Sequence, residues 1–154
     1  MQGAFPERTV LKANEEMQVD DLDFERVMVI FAHPDDAEVQ CAGTVALWAG
    51  EGKKIAYVVL TKGDKGTQDP SMAGDRLTDL RQQEQLKAAG ELGVGKVLFL
   101  PNDDGVLEVN LERRKVLTRI IREHQPEVLI THDPWMRSSP PAIRSISRSR
   151  SRRG

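Results

Sequence analysis

The sequence predicts a three-layer α/β/α fold around a mostly parallel sheet. Short apolar runs alternate with segments of helical periodicity, in the order β-α-β-α-β-α-β. The runs are apolar on successive residues rather than on every second one, as in strands that helices cover on both faces. Alternation of this kind favours parallel strands joined by helical crossovers. A chain of 154 residues is long enough for one domain with its own core.

The first half of the chain supplies two strands and one helix. Residues 27–31 form a β-branched run and predict the first strand. Residues 38–50 predict a helix that ends at Gly50, because apolar side chains recur there at helical spacing: Val39, Ala42, Val45, Ala46 and Ala49. Residues 55–60 are apolar on both faces and predict the second strand, which is followed by a long turn-rich loop over 61–75.

The second half predicts a helix over 76–92, a strand over 97–100, a helix over 111–124 and a strand over 128–131. In the second of these helices the inward-facing side chains are expected to be Leu117, Ile120 and Ile121. His124 lies near the end of that helix, where an imidazole favours the helix dipole rather than a metal ion.

Three segments are predicted: an N-terminal arm over 1–22, an α/β domain over 23–136 and an Arg/Ser-rich tail over 137–154. The tail holds six Arg and no acidic residue, and it has too few apolar side chains to form a core, so we expect it to be disordered. Residues 1–136 hold 16 Lys and Arg against 24 Asp and Glu, a net charge of −8. That acidic balance disfavours nucleic acid as a partner of the domain.

Cysteine usage and hydropathy predict a cytoplasmic protein. The lone Cys41 cannot form an internal disulfide, and its apolar neighbours predict a small buried residue. No apolar stretch approaches the roughly 18 residues of a membrane-spanning helix, so we expect no membrane span. The N-terminal residues lack the apolar core of a signal peptide.

Each predicted strand delivers polar side chains at its carboxyl end. The groups are His33, Asp35 and Asp36 after the first strand, Thr61 and Asp64 after the second, Asn102, Asp103 and Asp104 after the third, and Thr131, His132 and Asp133 after the fourth. In an open parallel sheet, ligands bind in the crevice outside these ends. The sequence therefore predicts a polar site at this rim.

The residues in the turn after the first strand predict a metal-binding site. His33 and Asp36, three residues apart across Pro34, can bring an imidazole nitrogen and a carboxylate oxygen to one point, and these donors suit Zn²⁺. Asp35 would then lie beside the metal without binding it, where a general base belongs. The alternative is that Asp36 merely caps the following helix. A dinucleotide site is disfavoured because the turn has no G-x-G-x-x-G pattern and carries two carboxylates where pyrophosphate would lie.

The segment AHPDDAE, residues 32–38, resembles the signature of the PIG-L/LmbE family of zinc-dependent de-N-acetylases. The resemblance extends over about residues 26–135, through CAGT at 41–44, LTKGDKG at 60–66, RQQEQLKAAGELGV at 81–94, FLPNDDG at 99–105 and PEVLITHDPW at 126–135. It implies a Rossmann-like fold, truncated relative to the family.

The resemblance also implies an activity and a set of site residues. The implied reaction is zinc-dependent removal of an N-acetyl group from a small N-acetylglucosamine-type substrate. His33 and Asp36 match metal ligands of the family, and Asp35 matches its general base. Arg81 and Asp104 resemble positions that contact substrate, although Arg81 could instead form a surface pair with Glu84 and Asp104 could belong to an ordinary turn.

The sequence departs from the family pattern after residue 135. The family takes its third metal ligand from a later His-Pro-Asp-His segment, whereas no His follows His132 in this chain. Either His132 replaces that ligand or the metal site is incomplete and the activity impaired, because catalytic zinc sites use three protein ligands. The tail would then reflect a frameshift or truncation, or serve as a basic arm.

Two further expectations follow from this departure. The alternative to an enzyme is a catalytically inactive α/β binding module whose basic tail engages nucleic acid or protein. A shortened sheet would also leave an exposed edge, so we expect a homo-oligomer.

Overall fold

The computed structural model describes residues 23–133, which alternate strand and helix from end to end. The elements are β1 Arg26–Phe31, α1 Asp36–Gly50, β2 Lys54–Thr61, α2 Asp75–Glu91, β3 Lys96–Asn102, α3 Leu111–His124 and β4 Val128–Thr131. The predicted order of elements is confirmed. The predicted arm over 1–22 and tail over 137–154 lie outside the described residues.

All strand pairs are parallel, and the strand order is β3-β2-β1-β4. The chain therefore runs outward from β1 to β3 and then crosses to the other side of β1 to form β4. Helices α1 and α2 lie on the opposite side of the sheet from α3. In a doubly wound sheet the crevice for a ligand opens where the direction of winding reverses. Here that point lies between the carboxyl ends of β1 and β4.

The sheet is covered on both faces, as predicted. On one face Val45 and Trp48 of α1 pack with Tyr57 of β2 and Ala89 of α2 in the larger of two apolar clusters. On the other face the inward residues of α3 pack against Met28, and these are the three that the sequence predicts: Leu117, Ile120 and Ile121. The three-layer α/β/α architecture is confirmed. Among residues 23–133, every helix is too short or too polar to cross a membrane.

Helix α1 differs from the prediction in its first turns. Val39 is one of the apolar residues at helical spacing, yet it is 84% exposed, whereas Val45 is fully buried. The reason is a break at Cys41, whose φ of −144° is not helical. The helical periodicity is therefore interrupted at Cys41. Residues before the break face a different direction from those that the same spacing places after it. Cys41 itself is partly buried against the larger apolar cluster, in keeping with its predicted packing role.

Side chains tie the carboxyl ends of neighbouring strands together. The Thr61 hydroxyl donates a hydrogen bond to the carbonyl oxygen of Ala32 (2.8 Å), and the amide of Asn102 donates one to the carbonyl oxygen of Leu60 (2.7 Å). Thr61 is almost fully buried. These bonds link the ends of β1, β2 and β3, so the turn after β1 begins from a fixed position.

At the opposite end of the sheet Glu127 joins β4 to β1. Its Oε2 atom accepts the backbone N–H groups of Glu25 (2.8 Å) and Arg26 (2.9 Å), and its Oε1 atom lies 3.2 Å from the Arg26 guanidinium. The two backbone hydrogen bonds, with a smaller contribution from the Arg26 charge, hold the pKa of Glu127 below its usual value of 4.5. The carboxylate form therefore stabilises the native state.

We predict that Glu127→Gln lowers the free energy of unfolding at neutral pH. Because the native pKa of Glu127 is depressed, its contribution is present above pH 4.5 and is lost as the pH falls through the native pKa. Urea denaturation of both proteins between pH 7 and pH 3 should show the difference narrowing toward acid. The control Glu91→Gln, at the exposed end of α2, should leave the pH dependence unchanged. A constant gap between Glu127→Gln and the wild type at all pH values would contradict the prediction.

Candidate active site

The carboxylate of Asp36 lies at the centre of the turn between β1 and α1. Its Oδ2 atom accepts the backbone N–H groups of Ala32 (3.1 Å) and His33 (2.8 Å). Asp36 is the first residue of α1, and its side chain bonds to amides that precede the helix rather than to those of the first turn. The capping alternative is therefore wrong for Asp36. The carboxylate instead fixes the backbone where β1 ends.

Two imidazoles approach the same oxygen from different strands. His33 Nδ1 lies 3.5 Å from Asp36 Oδ2, and His132 Nε2, from the end of β4, lies 3.3 Å from it. The second nitrogen of each ring also has a polar neighbour: His33 Nε2 is 2.9 Å from Asp104 Oδ1, and His132 Nδ1 is 3.3 Å from the Gln40 amide. The structure thus brings together groups that the sequence places on the rims of three strands.

The charges of these groups stabilise one another. Burial alone would raise the pKa of Asp36, but hydrogen bonds with the side chains of His132 and His33 and with the His33 amide outweigh it and hold that pKa well below 3.8. The hydrogen bond to Asp36 raises the pKa of His33 above 6.5, against the opposing effect of burial and with help from Asp104. Asp36 is therefore an anion, and its surroundings favour a cation beside it.

The donor pair His33 and Asp36 fits part of a zinc site. Two donors that each reach one Zn²⁺ at ~2.1 Å with tetrahedral angles lie ~3.4 Å apart, and His33 Nδ1 and Asp36 Oδ2 are separated by 3.5 Å. His33 Nε2 is engaged by Asp104, which leaves Nδ1 as the nitrogen that faces Asp36. An imidazole held through its other nitrogen by a carboxylate is the usual arrangement for a metal-binding histidine.

A third donor does not complete the pair. Within residues 23–133, no group of three or more His, Cys, Asp or Glu side chains lies so that it could hold a metal ion. His132 is near, but its Nε2 atom is engaged in either tautomer: protonated it donates to Asp36, and unprotonated it accepts from the Ala32 amide at 3.1 Å. Residues 134–154 contain no His, Cys, Asp or Glu. Residues 23–133 thus provide two donors, where a catalytic zinc site uses three.

Asp35 points away from its neighbour Asp36. Its backbone has φ 113° and ψ −23°, and its carboxylate Oδ2 lies 2.8 Å from the Arg81 guanidinium with the side chain 62% exposed. Burial raises the pKa of Asp35, and the charge of Asp36 adds to the rise, while Arg81 opposes it. Two adjacent carboxylates thereby have different surroundings: Asp36 is turned inward toward the imidazoles, and Asp35 is largely exposed and paired with Arg81.

Arg81 binds protein groups around this turn. Its guanidinium donates to the carbonyl oxygens of Gly63 (3.2 Å) and Pro34 (3.1 Å), in addition to its ion pair with Asp35. The surface pair with Glu84 that the sequence allows is not formed, since the acidic partner of Arg81 is Asp35. Arg81 therefore connects α2 to the turn after β1 and to the loop after β2.

Asp104 is more than a turn residue. Its carboxylate contacts His33, and its backbone N–H donates to Asp64 Oδ1 at 2.8 Å. The loops after β2 and β3 are thus joined, and together they support the imidazole of His33. Asp103 lies apart from this group, since its carboxylate pairs with Lys62 (2.8 Å) and is 57% exposed.

Gln85 belongs to the site, although sequence analysis did not select it. Its side-chain oxygen accepts the backbone N–H of Asp35 (3.0 Å), and its side-chain nitrogen donates to Glu38 Oε1 (2.7 Å). It is 3% exposed. One signal was present in the sequence: Gln85 follows Arg81 by four residues and therefore shares its helical face.

The sheet order and the polar groups at its switch point define a doubly wound α/β domain with a cluster of carboxylates and imidazoles after the first strand. Comparison with known proteins gives the particular family. The chain belongs to the PIG-L family, described as GlcNAc-PI de-N-acetylase, whose family model matches residues 28–141.

Three relatives illustrate the similarity. The diacetylchitobiose deacetylase of Thermococcus kodakarensis is 33% identical over 114 residues, which are 74% of this chain and 43% of that protein. The solved structure of N,N'-diacetylchitobiose deacetylase from Pyrococcus horikoshii is 36% identical, with a TM-score of 0.77, covering 81% of this chain and 47% of that one. The solved 4-carboxy-2-hydroxymuconate hydratase GalB from Pseudomonas putida is 27% identical, with a TM-score of 0.66, covering 77% of this chain and 52% of that one. The chain thus spans about half the length of the proteins it matches.

We predict that Gly63→Ala disturbs the site through Arg81. A Cβ atom at Gly63, where φ is +64°, would fall 2.5 Å from Arg81 Nη1. The matched control is Gly52→Ala, where φ is +85° and nothing lies within 4 Å of the added atom. Backbone strain should cost ~1–2 kcal/mol in both variants, and the clash should add about 1–3 kcal/mol in Gly63→Ala by breaking hydrogen bonds of the guanidinium. Equal losses of unfolding free energy in the two variants, measured by urea denaturation, would contradict the proposed contact.

Proposed function

We propose that this protein is a hydrolase of the de-N-acetylase type, acting on a small N-acetylglucosamine-type amide. The observation that carries the proposal is the divergence of two adjacent carboxylates. Asp36 turns inward toward His33, so that the two form a donor pair, while the Asp35 carboxylate stays outside that pair, 62% exposed and held by Arg81. This is the arrangement that metal-assisted amide hydrolysis requires, with a cation on one side and a proton acceptor on the other.

The substrate class is proposed from the relatives. Two of the three name diacetylchitobiose, an N-acetylated sugar, and the family description names an N-acetylglucosamine compound. The hydratase among the relatives indicates that the same fold also serves a reaction at a carbon–carbon double bond. The test of function therefore measures release of acetate from N-acetylated sugars directly.

Asp35 is the proposed general base. Its side chain is 62% exposed, against 16% for Asp36 and 15% for Asp104, so water can reach it. The partly desolvated position of the carboxylate raises its pKa, which favours uptake of a proton. Arg81 holds one oxygen of this carboxylate and thereby its direction. Zn²⁺ held by His33 and Asp36 would polarise the amide carbonyl and acidify a water molecule. Arg81 and Asp104 are the proposed substrate contacts, since both lie at the same rim.

We predict that the chain binds about one Zn²⁺ and binds it weakly. His33 and Asp36 provide two donors where catalytic sites have three, so affinity should be below that of a complete site. Competition with a chromophoric chelator should show zinc uptake by the wild type, loss of uptake in His33→Ala and normal uptake in His124→Ala. His124 serves as the control because it bonds to the carbonyl oxygen of Ile120 within α3, away from the rim.

Equal zinc uptake by the wild type and His33→Ala would remove the metal part of the proposal. If the wild type takes up no zinc and releases no acetate, the domain is instead a catalytically inactive binding module. That alternative is then tested by salt-dependent binding of nucleic acid before and after deletion of residues 137–154.

We predict that Asp35→Asn lowers the rate of acetate release from N,N'-diacetylchitobiose by ~10²–10⁴-fold, the usual contribution of a general base. Zinc uptake should be unchanged, because Asp35 is not one of the proposed donors. The control Asp103→Asn removes an equally exposed carboxylate that pairs with Lys62 outside the site, and it should retain the wild-type rate. Wild-type turnover in Asp35→Asn would refute the assignment of the base.

We propose, further, that the protein self-associates through the edge of its sheet. In the described part of the chain β4 pairs only with β1, and Leu129 on this strand is 47% exposed. An exposed strand edge with an apolar side chain favours pairing with another chain.

Light scattering after size exclusion tests the proposed association. We expect the wild type to be larger than a monomer and Leu129→Lys to shift toward the monomer. The control is Leu86→Lys, a comparably exposed leucine (51%) on α2, which should leave the assembly intact. A monomeric wild type, or equal effects of the two substitutions, would rule out this edge as the interface.

A further inference from the structure

We infer that Gln85, bonded also to Glu38, is a positioning residue that holds the backbone of Asp35 in a left-handed conformation and so directs its carboxylate away from Asp36 and toward Arg81. The consequence for catalysis rests on the proposed function, whereas the positioning itself does not. Gln85 is neither a proposed donor nor a proposed substrate contact, and it acts only through Asp35.

The conformation of Asp35 needs external support. A φ of 113° places a residue that has a Cβ atom outside the regions that such residues normally occupy. Residues of this kind persist when the surrounding structure holds them there. The Asp35 side chain makes no helix-capping hydrogen bond, although Asp35 is the N-cap residue of α1. The support must therefore come from groups that bond to its backbone or to its carboxylate.

Helix α2 supplies both bonds from one face. Gln85 accepts the Asp35 backbone N–H at 3.0 Å, and Arg81, one turn earlier, donates to the Asp35 carboxylate at 2.8 Å. Residues at i and i+4 of a helix lie side by side. Arg81 also holds the carbonyl oxygen of Pro34. Residues 34 and 35 are thus held at three points by two neighbouring side chains of a rigid helix.

Two neighbours favour the same orientation of the Gln85 amide. Its NH₂ group donates to Glu38 Oε1 at 2.7 Å, and the backbone N–H of Asp35 can only donate, so it needs the amide oxygen. The oxygen of Gln85 is then left to face the Asp35 N–H. The other carboxylate oxygen, Glu38 Oε2, is buried and has no hydrogen-bond partner among the described residues. The bond from Gln85 is therefore important for Glu38 as well, because a buried carboxylate is costly without donors.

The experiment measures hydrogen exchange of the Asp35 amide by NMR in the zinc-free chain of residues 1–154. Gln85→Met keeps the length of the side chain and removes the acceptor. Exchange at Asp35 should become at least ~10-fold faster, since its hydrogen bond is lost. The reference amide is that of Thr61, which bonds to the carbonyl oxygen of Ala32 at 2.9 Å and should exchange as in the wild type. Unchanged exchange at Asp35, or equal acceleration of both amides, would overturn the inference.

Glu38→Gln provides a second, milder test should Gln85→Met fold poorly. A glutamine at 38 can accept or donate, so residue 38 no longer favours one orientation of the Gln85 amide over the other. Exchange at Asp35 should again rise relative to Thr61, by less than in Gln85→Met. Protection equal to that of the wild type would show that Glu38 does not orient Gln85 and would overturn that part of the inference.

Kinetics separate positioning from the proposed function. If the wild type releases acetate, Gln85→Met should lower kcat by ~10-fold or more with KM and zinc uptake unchanged, because a misdirected base slows the chemical step rather than binding. A general loss of structure would reduce zinc uptake as well. If the wild type is inactive, the proposed function fails while the exchange measurements still decide on Gln85. Normal kcat with accelerated exchange would overturn the catalytic consequence alone.

Discussion

The carboxylate of Asp36 is the interaction on which the rest of the site depends. One oxygen accepts two backbone amides at the end of β1 and lies within 3.5 Å of imidazole nitrogens that follow β1 and β4. A buried anion is costly unless donors surround it, and here the donors come from two strands that are adjacent in the sheet but about a hundred residues apart in the chain. The same charge therefore stabilises the β1–α1 turn and brings together the two sides of the switch point.

The inward direction of Asp36 explains the direction of Asp35. Two neighbouring carboxylates that both turned toward the imidazoles would repel each other and raise the pKa of one of them. The left-handed backbone at Asp35 separates them instead, and Arg81 neutralises the outer one. The strained conformation is thus a consequence of placing an ionised donor and a free carboxylate on successive residues. Because the helix that supports this conformation is α2, the second crossover of the fold helps to hold the turn that follows the first strand.

Sequence reasoning recovered the parts of this structure that depend on local pattern. The strands and helices were predictable because apolar runs and helical periodicity are short-range signals. His33, Asp35 and Asp36 could be selected as candidates because they follow a strand directly. Side-chain contacts between distant segments were not predictable. Arg81 has an acidic neighbour three residues away, but it binds Asp35, where two carbonyl oxygens add to the ion pair. The bond from Asp35 to Gln85 spans 50 residues. The break at Cys41 was missed because the apolar spacing of α1 continues through it.

The directed side chains of the site and its proposed metal donors differ in how completely residues 23–133 supply them. The carboxylate of Asp35 is directed by α2, and the ring of His33 is directed by Asp104, so both are placed by contacts within residues 23–133. The proposed metal site has only two donors in that part of the chain. A carboxylate that protein contacts hold in place does not need a bound cation for its orientation. The fold can therefore keep a directed Asp35 whether or not a metal is held beside it, and the loss of a metal ligand would reduce cation affinity without dismantling the rest of the site.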